Sequence, residues 1–358
     1  MKKALIWVLA ISVIALMIAF PHNAIEYARY SIEICTQMIV PTLFPFFICS
    51  GILIYSGFCE TLSKIFRFCM KPLFGVSPAG AAAFVLGIVS GYPLGAVTAG
   101  QLYESGYLTK TEAERLCAFC NNSGPLFIIG SVGAAVYGNV GFGVMLYVLH
   151  IIASLTVGII FRFYKKSSYI APHTVMSTPK RPVGELISIA LNNAISTMLT
   201  VCGAVIFFGM TGRLLLDLLP LDGVMYALAA GVVEFVNGTV AASELDIAMG
   251  TRLVMTAFIV GFAGLSVHAQ VVAVIAKYGF SLVPYFVGKL LHGLIAAVYT
   301  YIYLKFCPVS EAVFAPSMGR AFFASSLCVI IPAMSMLGVS AAVLNLRIRK
   351  YIKRGVME

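Results

Sequence analysis

The chain has 358 residues, of which 60% are hydrophobic and 11% are Asp, Glu, Lys or Arg. A soluble domain carries about 25% charged residues, so composition excludes a soluble globular domain and predicts a polytopic membrane protein. The net charge of +10 does not mark a nucleic-acid binder, because the positives sit in short segments between apolar stretches: Lys64, Arg67 and Lys71, then Arg162, Lys165, Lys166, Lys180 and Arg181, then residues 347–354. That is the pattern of cytoplasmic loops.

Met1-Lys2-Lys3 leads into an apolar stretch at 4–20. No small-residue cleavage site follows, so it reads as a retained first span rather than a signal peptide. Further stretches long enough to cross, about 20 residues each, lie at 38–57, 141–163, 198–216, 282–304 and 321–346. Four less regular apolar segments, 79–100, 118–137, 224–242 and 253–276, each contain a break, and 59–78 is an extra basic amphipathic stretch.

The second half echoes the first. Gly87 matches Gly231, Ser90 matches Glu234, Ser123 matches Ser266 and His150 matches His292, with offsets of 142 to 144 positions. Glu26, Arg29, Glu33 and Gln37 form a stripe whose steps recur at Glu185, Ser188, Asn192 and Ser196. Such steps mark one helix face, so each half opens with an amphipathic helix leading into a span. If all basic segments are cytoplasmic, one broken segment per half crosses and the other is a re-entrant hairpin. The expected fold is all-α: about eight spans in two inverted repeats, each with a re-entrant or broken-helix hairpin. The expected divisions are an N-terminal transmembrane helix at 1–23, a first repeat at 24–166 and a cytoplasmic linker at 167–183. A second repeat at 184–307 and a C-terminal helix with a basic tail at 308–358 complete the chain.

The breaks carry the chemistry. Ser90-Gly91-Tyr92-Pro93 and Cys120-Asn121-Asn122-Ser123-Gly124-Pro125 interrupt segments apolar enough for a bilayer. Non-helical backbone at that depth must be buried in protein or line a polar cavity. Thr109-Lys110-Thr111-Glu112 reads as a capping box that starts a helix ending at Asn121-Asn122. Ser123 or Gly124 then caps a half-helix with Pro125 at its first position. In the second half Ser266 is expected to cap 267–277, with His268 and Gln270 in the first turn. Half-helix N-termini attract anions. The expected solute contacts are therefore Ser90, Gly91, Tyr92, Asn121, Asn122, Ser123, Asn237, Thr239, Ser266, His268 and Gln270. Glu234, flanked by Val233 and Phe235, is expensive inside a membrane and is the expected coupling group. Packing kinks are the bland alternative for the breaks, and a structural hydrogen bond for Glu234. His150 and His292 read as a relay or as satisfied core residues. Lys289, early in its span, reads as a snorkelling residue.

Nine cysteines are scattered through apolar segments, and Cys117-x-x-Cys120 has no second ligand pair, so no metal or cofactor is expected. No hydrolase, zinc-protease or phosphate-loop pattern is present, and the expectation is that the chain is not an enzyme.

The run Ser90-Gly91-Tyr92-Pro93-x-Gly95, Leu102-Tyr103-Glu104-x-Gly106, Glu112-x-Glu114-Arg115 and Cys120-Asn121-Asn122-Ser123-x-Pro125-Leu126-Phe127, with Val40-Pro41-x-Leu43-Phe44-Pro45 upstream, resembles the YlbJ-type sporulation integral membrane proteins. These are similar to the wider nucleoside-recognition or Gate domain group. The resemblance implies a multi-pass protein of the mother cell, placed in the outer forespore membrane and needed for the spore cortex. It further implies transport of dipicolinic acid, a small aromatic dianion. The expected partners are thus a small organic anion and membrane lipid, with no nucleic acid; a homo-oligomer is compatible with the sequence. The competing readings are a non-transporting sporulation scaffold and a nucleoside carrier.

Overall fold

The computed structural model describes residues 2–165 and 182–307, and every regular element among them is helical. The expected span at 321–346, the basic tail and most of the 167–183 linker lie outside the described residues.

Helix α1 (Lys2–Ala19) meets α2 (Pro21–Ile34) at 104°. The corner falls where Pro21 takes the first helical position, which has no N–H to lose. A π-helical turn at Cys35–Ile39 carries α2 into α3 (Val40–Tyr55), so residues 21–55 form one long rod. The amphipathic α4 (Phe58–Cys69) follows. Next come α5 (Gly80–Ser90) and α6 (Leu94–Glu104), which fold back on each other around Gly91-Tyr92-Pro93. Helix α7 (Lys110–Cys117) starts with the expected capping box. A break at 118–125, the π-wound helix Leu126–Val136 and α8 (Val140–Phe161) complete the first half.

The same order returns. Helix α9 (Val183–Leu216) is a single rod of 34 residues. The expected span at 198–216 therefore starts fifteen residues earlier (198 against 183) than apolarity alone suggests. The polar stripe through Glu185, Ser188, Asn192 and Ser196 keeps helical phase across it. Helices α10 (Gly223–Val233) and α11 (Phe235–Glu244) form the second hairpin, packed through Gly231 and Gly238. Helices α12 (Met249–Phe262) and α13 (Gly264–Ala276) meet at Ala263, and α14 (Val283–Phe306) closes the half.

The two long rods run antiparallel. Gly209 faces Ser31, the Cys35 thiol donates to the Cys202 carbonyl at 3.9 Å, and Gly51 faces Ala190. Small residues at these crossings let the helices approach closely. By length and apolarity, α8, α9, the joined α12–α13 and α14 can each cross a membrane, and the bent α1–α2 pair makes a fifth candidate. This is a multi-pass, all-helical arrangement.

One end of the bundle is tied by polar contacts. Arg115 donates to the carbonyls of Gly75 (2.6 Å), Tyr164 (2.8 Å) and Lys165. Glu114 accepts from the Ser281 N–H at 2.9 Å and pairs with Lys165 at 3.1 Å, joining the two halves. Tyr278 fills the space beside Gly100, where no Cβ would fit.

Candidate functional site: two breaks and a buried lysine

The first break is held by contacts with α5, α6 and α8. Gly87 and Gly95, one on each arm of the α5–α6 hairpin, face the Cys120 carbonyl so closely that a Cβ on either would overlap it. Asn121 Oδ1 accepts from the Ala96 N–H (2.9 Å), one of the donors that the start of α6 leaves free, and its Nδ2 donates to the Cys117 carbonyl at 3.2 Å. Asn122 Nδ2 and the Ser154 hydroxyl both donate to the Phe119 carbonyl, at 3.0 and 2.7 Å. Buried non-helical backbone needs such partners. Ser123 does not cap the following helix, contrary to expectation: its N–H donates to His150 Nε2 at 3.1 Å, and Pro125 takes the N-cap position without a side-chain bond.

The second break is more economical. Ala263 has φ +77° and Gly264 φ +68°, so α12 ends and α13 begins with almost no loop. Left-handed φ is unfavourable for alanine; a side chain at Gly264 would press on the Gly231 carbonyl and the Phe235 N–H at 3.0 Å. Helix α13 thus starts before Ser266, which lies inside its first turn rather than at its cap. The N-cap in this half is instead Glu234, which opens α11: its carboxylate accepts from the Asn237 N–H at 2.8 Å and from the Ser266 hydroxyl at 3.4 Å.

The hairpin turns meet at the middle. Tyr92 stands edge-on to Phe235 (centroids 5.9 Å), and Phe127 lies 5.0 Å from the same ring. The Tyr92 hydroxyl donates to the Val260 carbonyl at 3.0 Å, satisfying an acceptor in the last turn of α12. Around this junction lies a cavity of about 30 Å³. Ser90, Gly91 and Tyr92 line it from the first hairpin, and Ser123, Gly124 and Phe127 from the first break. Phe235 and Val236 close it from the second hairpin, Val267 and Gln270 from α13. The volume is that of about one water molecule, whereas ligand pockets run to roughly 300–1,000 Å³. Among the described residues this cavity has no room for an organic solute.

Of the expected contacts, Ser90, Gly91, Tyr92, Ser123 and Gln270 share the cavity wall; Glu234, Asn237 and Ser266 cluster at the α11 cap beside it. Asn121 is committed to the break itself, and Thr239 donates back to the Phe235 carbonyl within its own helix at 2.7 Å. His268 faces the Tyr285 hydroxyl at 2.9 Å. Several buried polar atoms have no protein partner: Ser90 Oγ, Asn122 Oδ1, Gln270 Oε1, His150 Nδ1, His268 Nε2 and both amide atoms of Asn237.

Lys289 was read from the sequence as snorkelling. It does not: it is 1% exposed. Its ammonium donates to the Asn121 carbonyl at 3.1 Å, lies 3.4 Å from His292 Nδ1 and sits 5.1 Å over the Tyr92 ring. His292 Nε2 contacts the His150 carbonyl at 2.9 Å, so that nitrogen carries the proton and Nδ1 is free to accept. The His150 ring lies 4.2 Å from that of His292, tilted by 44°, and accepts from Ser123 through Nε2, which puts its own proton on the unpartnered Nδ1. A polar face on α14, Tyr285, Lys289 and His292 at helical spacing, is the signal that points to this cluster.

Fold and site define a multi-pass helical membrane protein with two interrupted helical segments and two hairpins around a common centre. The chain is similar to the sporulation integral membrane protein YlbJ of Bacillus subtilis (strain 168), at 29% identity over 327 residues, covering 81% of this chain and 80% of that protein. That likeness supports a YlbJ-type assignment. No protein-family model matches the chain, and no solved structure matches it.

Proposed function

We propose that the chain is an integral membrane carrier of a small organic anion in endospore formation, with dipicolinic acid as the solute and the outer forespore membrane as its site. One observation carries the reading: both hairpins and both interrupted segments contribute to a single cavity, and its wall holds the unpartnered polar atoms Ser90 Oγ and Gln270 Oε1. Interrupted helices meeting at mid-membrane are how many secondary transporters hold a solute. The repeated element order and the antiparallel rods support two inverted repeats. The tied end carries Lys110, Arg115, Arg162 and Lys165, which supports a cytoplasmic position for it. Glu234 is the coupling group in this reading: a carboxylate 1% exposed favours neutralisation by a proton or cation.

The small cavity favours a second reading, a membrane scaffold that carries nothing. Sporulating cells with and without the protein separate the two. The carrier reading expects dipicolinate to build up in the mother cell and fall in the forespore when the protein is absent. The scaffold reading expects an unchanged partition beside a defective cortex.

A further inference from the structure

We infer that Lys289 is the residue that recognises the solute's negative charge, and that with His150 it forms a site for an aromatic carboxylate, screened from the cavity by the Tyr92 ring. The inference rests on the carrier reading and names the recognition group within it.

Three observations converge. The first is a buried basic amine with no counter-charge among the described residues, so its charged form calls for an anion. The Lys289 ammonium is buried, its partners are a carbonyl, an imidazole and a ring face, and among the described residues the ion pair is Lys165–Glu114, elsewhere in the fold. A buried charge held only by neutral groups is costly unless a counter-charge arrives. The second is a donor with nothing to donate to. His150 Nδ1–H is buried without an acceptor, on a ring 4.2 Å from the imidazole that Lys289 touches. What the cluster lacks is an acceptor-only anion, and a carboxylate is that group. The third is the neighbouring surface. Tyr92 and Phe127 both pack on Phe235 at the cavity, which suits a flat ring attached to the carboxylate.

Tyr92 is the barrier between them. One face of its ring receives the ammonium, while the residue itself lines the cavity. Movement of this one side chain joins the cavity to the lysine and enlarges the water-sized void. Glu234 is not among the groups that touch the ammonium; its carboxylate faces Asn237 and Ser266.

The test is equilibrium binding to the purified full chain in detergent, using pyridine-2,6-dicarboxylate and its neutral diamide as probes. The wild type should prefer the dicarboxylate. Lys289→Met should weaken dicarboxylate binding by roughly tenfold or more, as expected for loss of a buried charged partner, and leave diamide binding unchanged. Its Tm, read alongside, shows that the variant still folds, because the change also leaves the Asn121 carbonyl and His292 Nδ1 without a donor. Lys289→Arg should keep the preference for the dicarboxylate. If the wild type shows the preference and Lys289→Met keeps it in full, the assignment of Lys289 is wrong while the carrier reading stands. If the wild type itself does not distinguish the two probes, the carrier reading fails and this inference with it.

Discussion

A methyl group is enough to test how the first break is held. Gly87 and Gly95 bring two helices against one carbonyl, that of Cys120. Gly87→Ala should lower stability by about 1–3 kcal/mol through overpacking, read as a drop in Tm in detergent. Gly130→Ala is the control: nothing lies within 4 Å of a Cβ there, and its Tm should hold. Asn121 belongs to the same logic. Asn121→Leu strands the Ala96 N–H and should cost about 1–3 kcal/mol, whether or not the site binds a solute. The residue types at this break were readable from sequence, since Asn, Gly and Pro in an apolar run have few other uses. Which atoms they bond was not. Asn121 finds its partner on a helix that ends fifteen or more positions earlier in the chain, and local spacing cannot reveal that.

Among the elements, the second break was harder to see. Ala263 takes a left-handed φ that alanine rarely adopts, so nothing in its residue type announces a turn. Glutamate is likewise no favoured N-cap, and Glu234 looked like a lone intramembrane charge rather than the start of α11. Here the role separates by substitution. Glu234→Ala should cost about 0.5–2 kcal/mol as a lost cap and abolish transport. Glu234→Asp keeps a carboxylate for the cap and should retain more of both. Equal transport by wild type and Glu234→Ala would remove Glu234 as the coupling group. Helix α14 shows the opposite limit. A lysine six residues into an apolar helix has the same sequence signature whether it snorkels or is buried, and only the positions of Asn121 and Tyr92 decide.

For the whole molecule, alternation between two states requires the halves to part where they are tied. Glu114 bridges Lys165 and the Ser281 N–H, and Glu114→Gln should weaken that tie and speed amide exchange at 277–281. Unchanged exchange would show that the tie does not hold this end shut. The Lys165 ammonium is raised above its usual value by Tyr164 and then by Glu114. A raised value means the contact is fully present at neutral pH and is lost only as alkaline pH strips the proton, so protection at 277–281, with the intrinsic base-catalysed rate divided out, should be flat across neutral pH and fall in strong base. The multi-pass, all-helical character was legible because long apolar stretches dominate the chain. The water-sized cavity was not, because cavity volume depends on how aromatic rings such as Tyr92, Phe127 and Phe235 interlock.

Uptake of labelled dipicolinate into vesicles reconstituted with the protein bears most directly on the whole account. Saturable uptake above that of empty vesicles, lost in an Asn122→Leu/Ser123→Ala double variant that still folds, is the expected result. Uptake no faster than in empty vesicles, from protein shown to be folded and inserted, would contradict it.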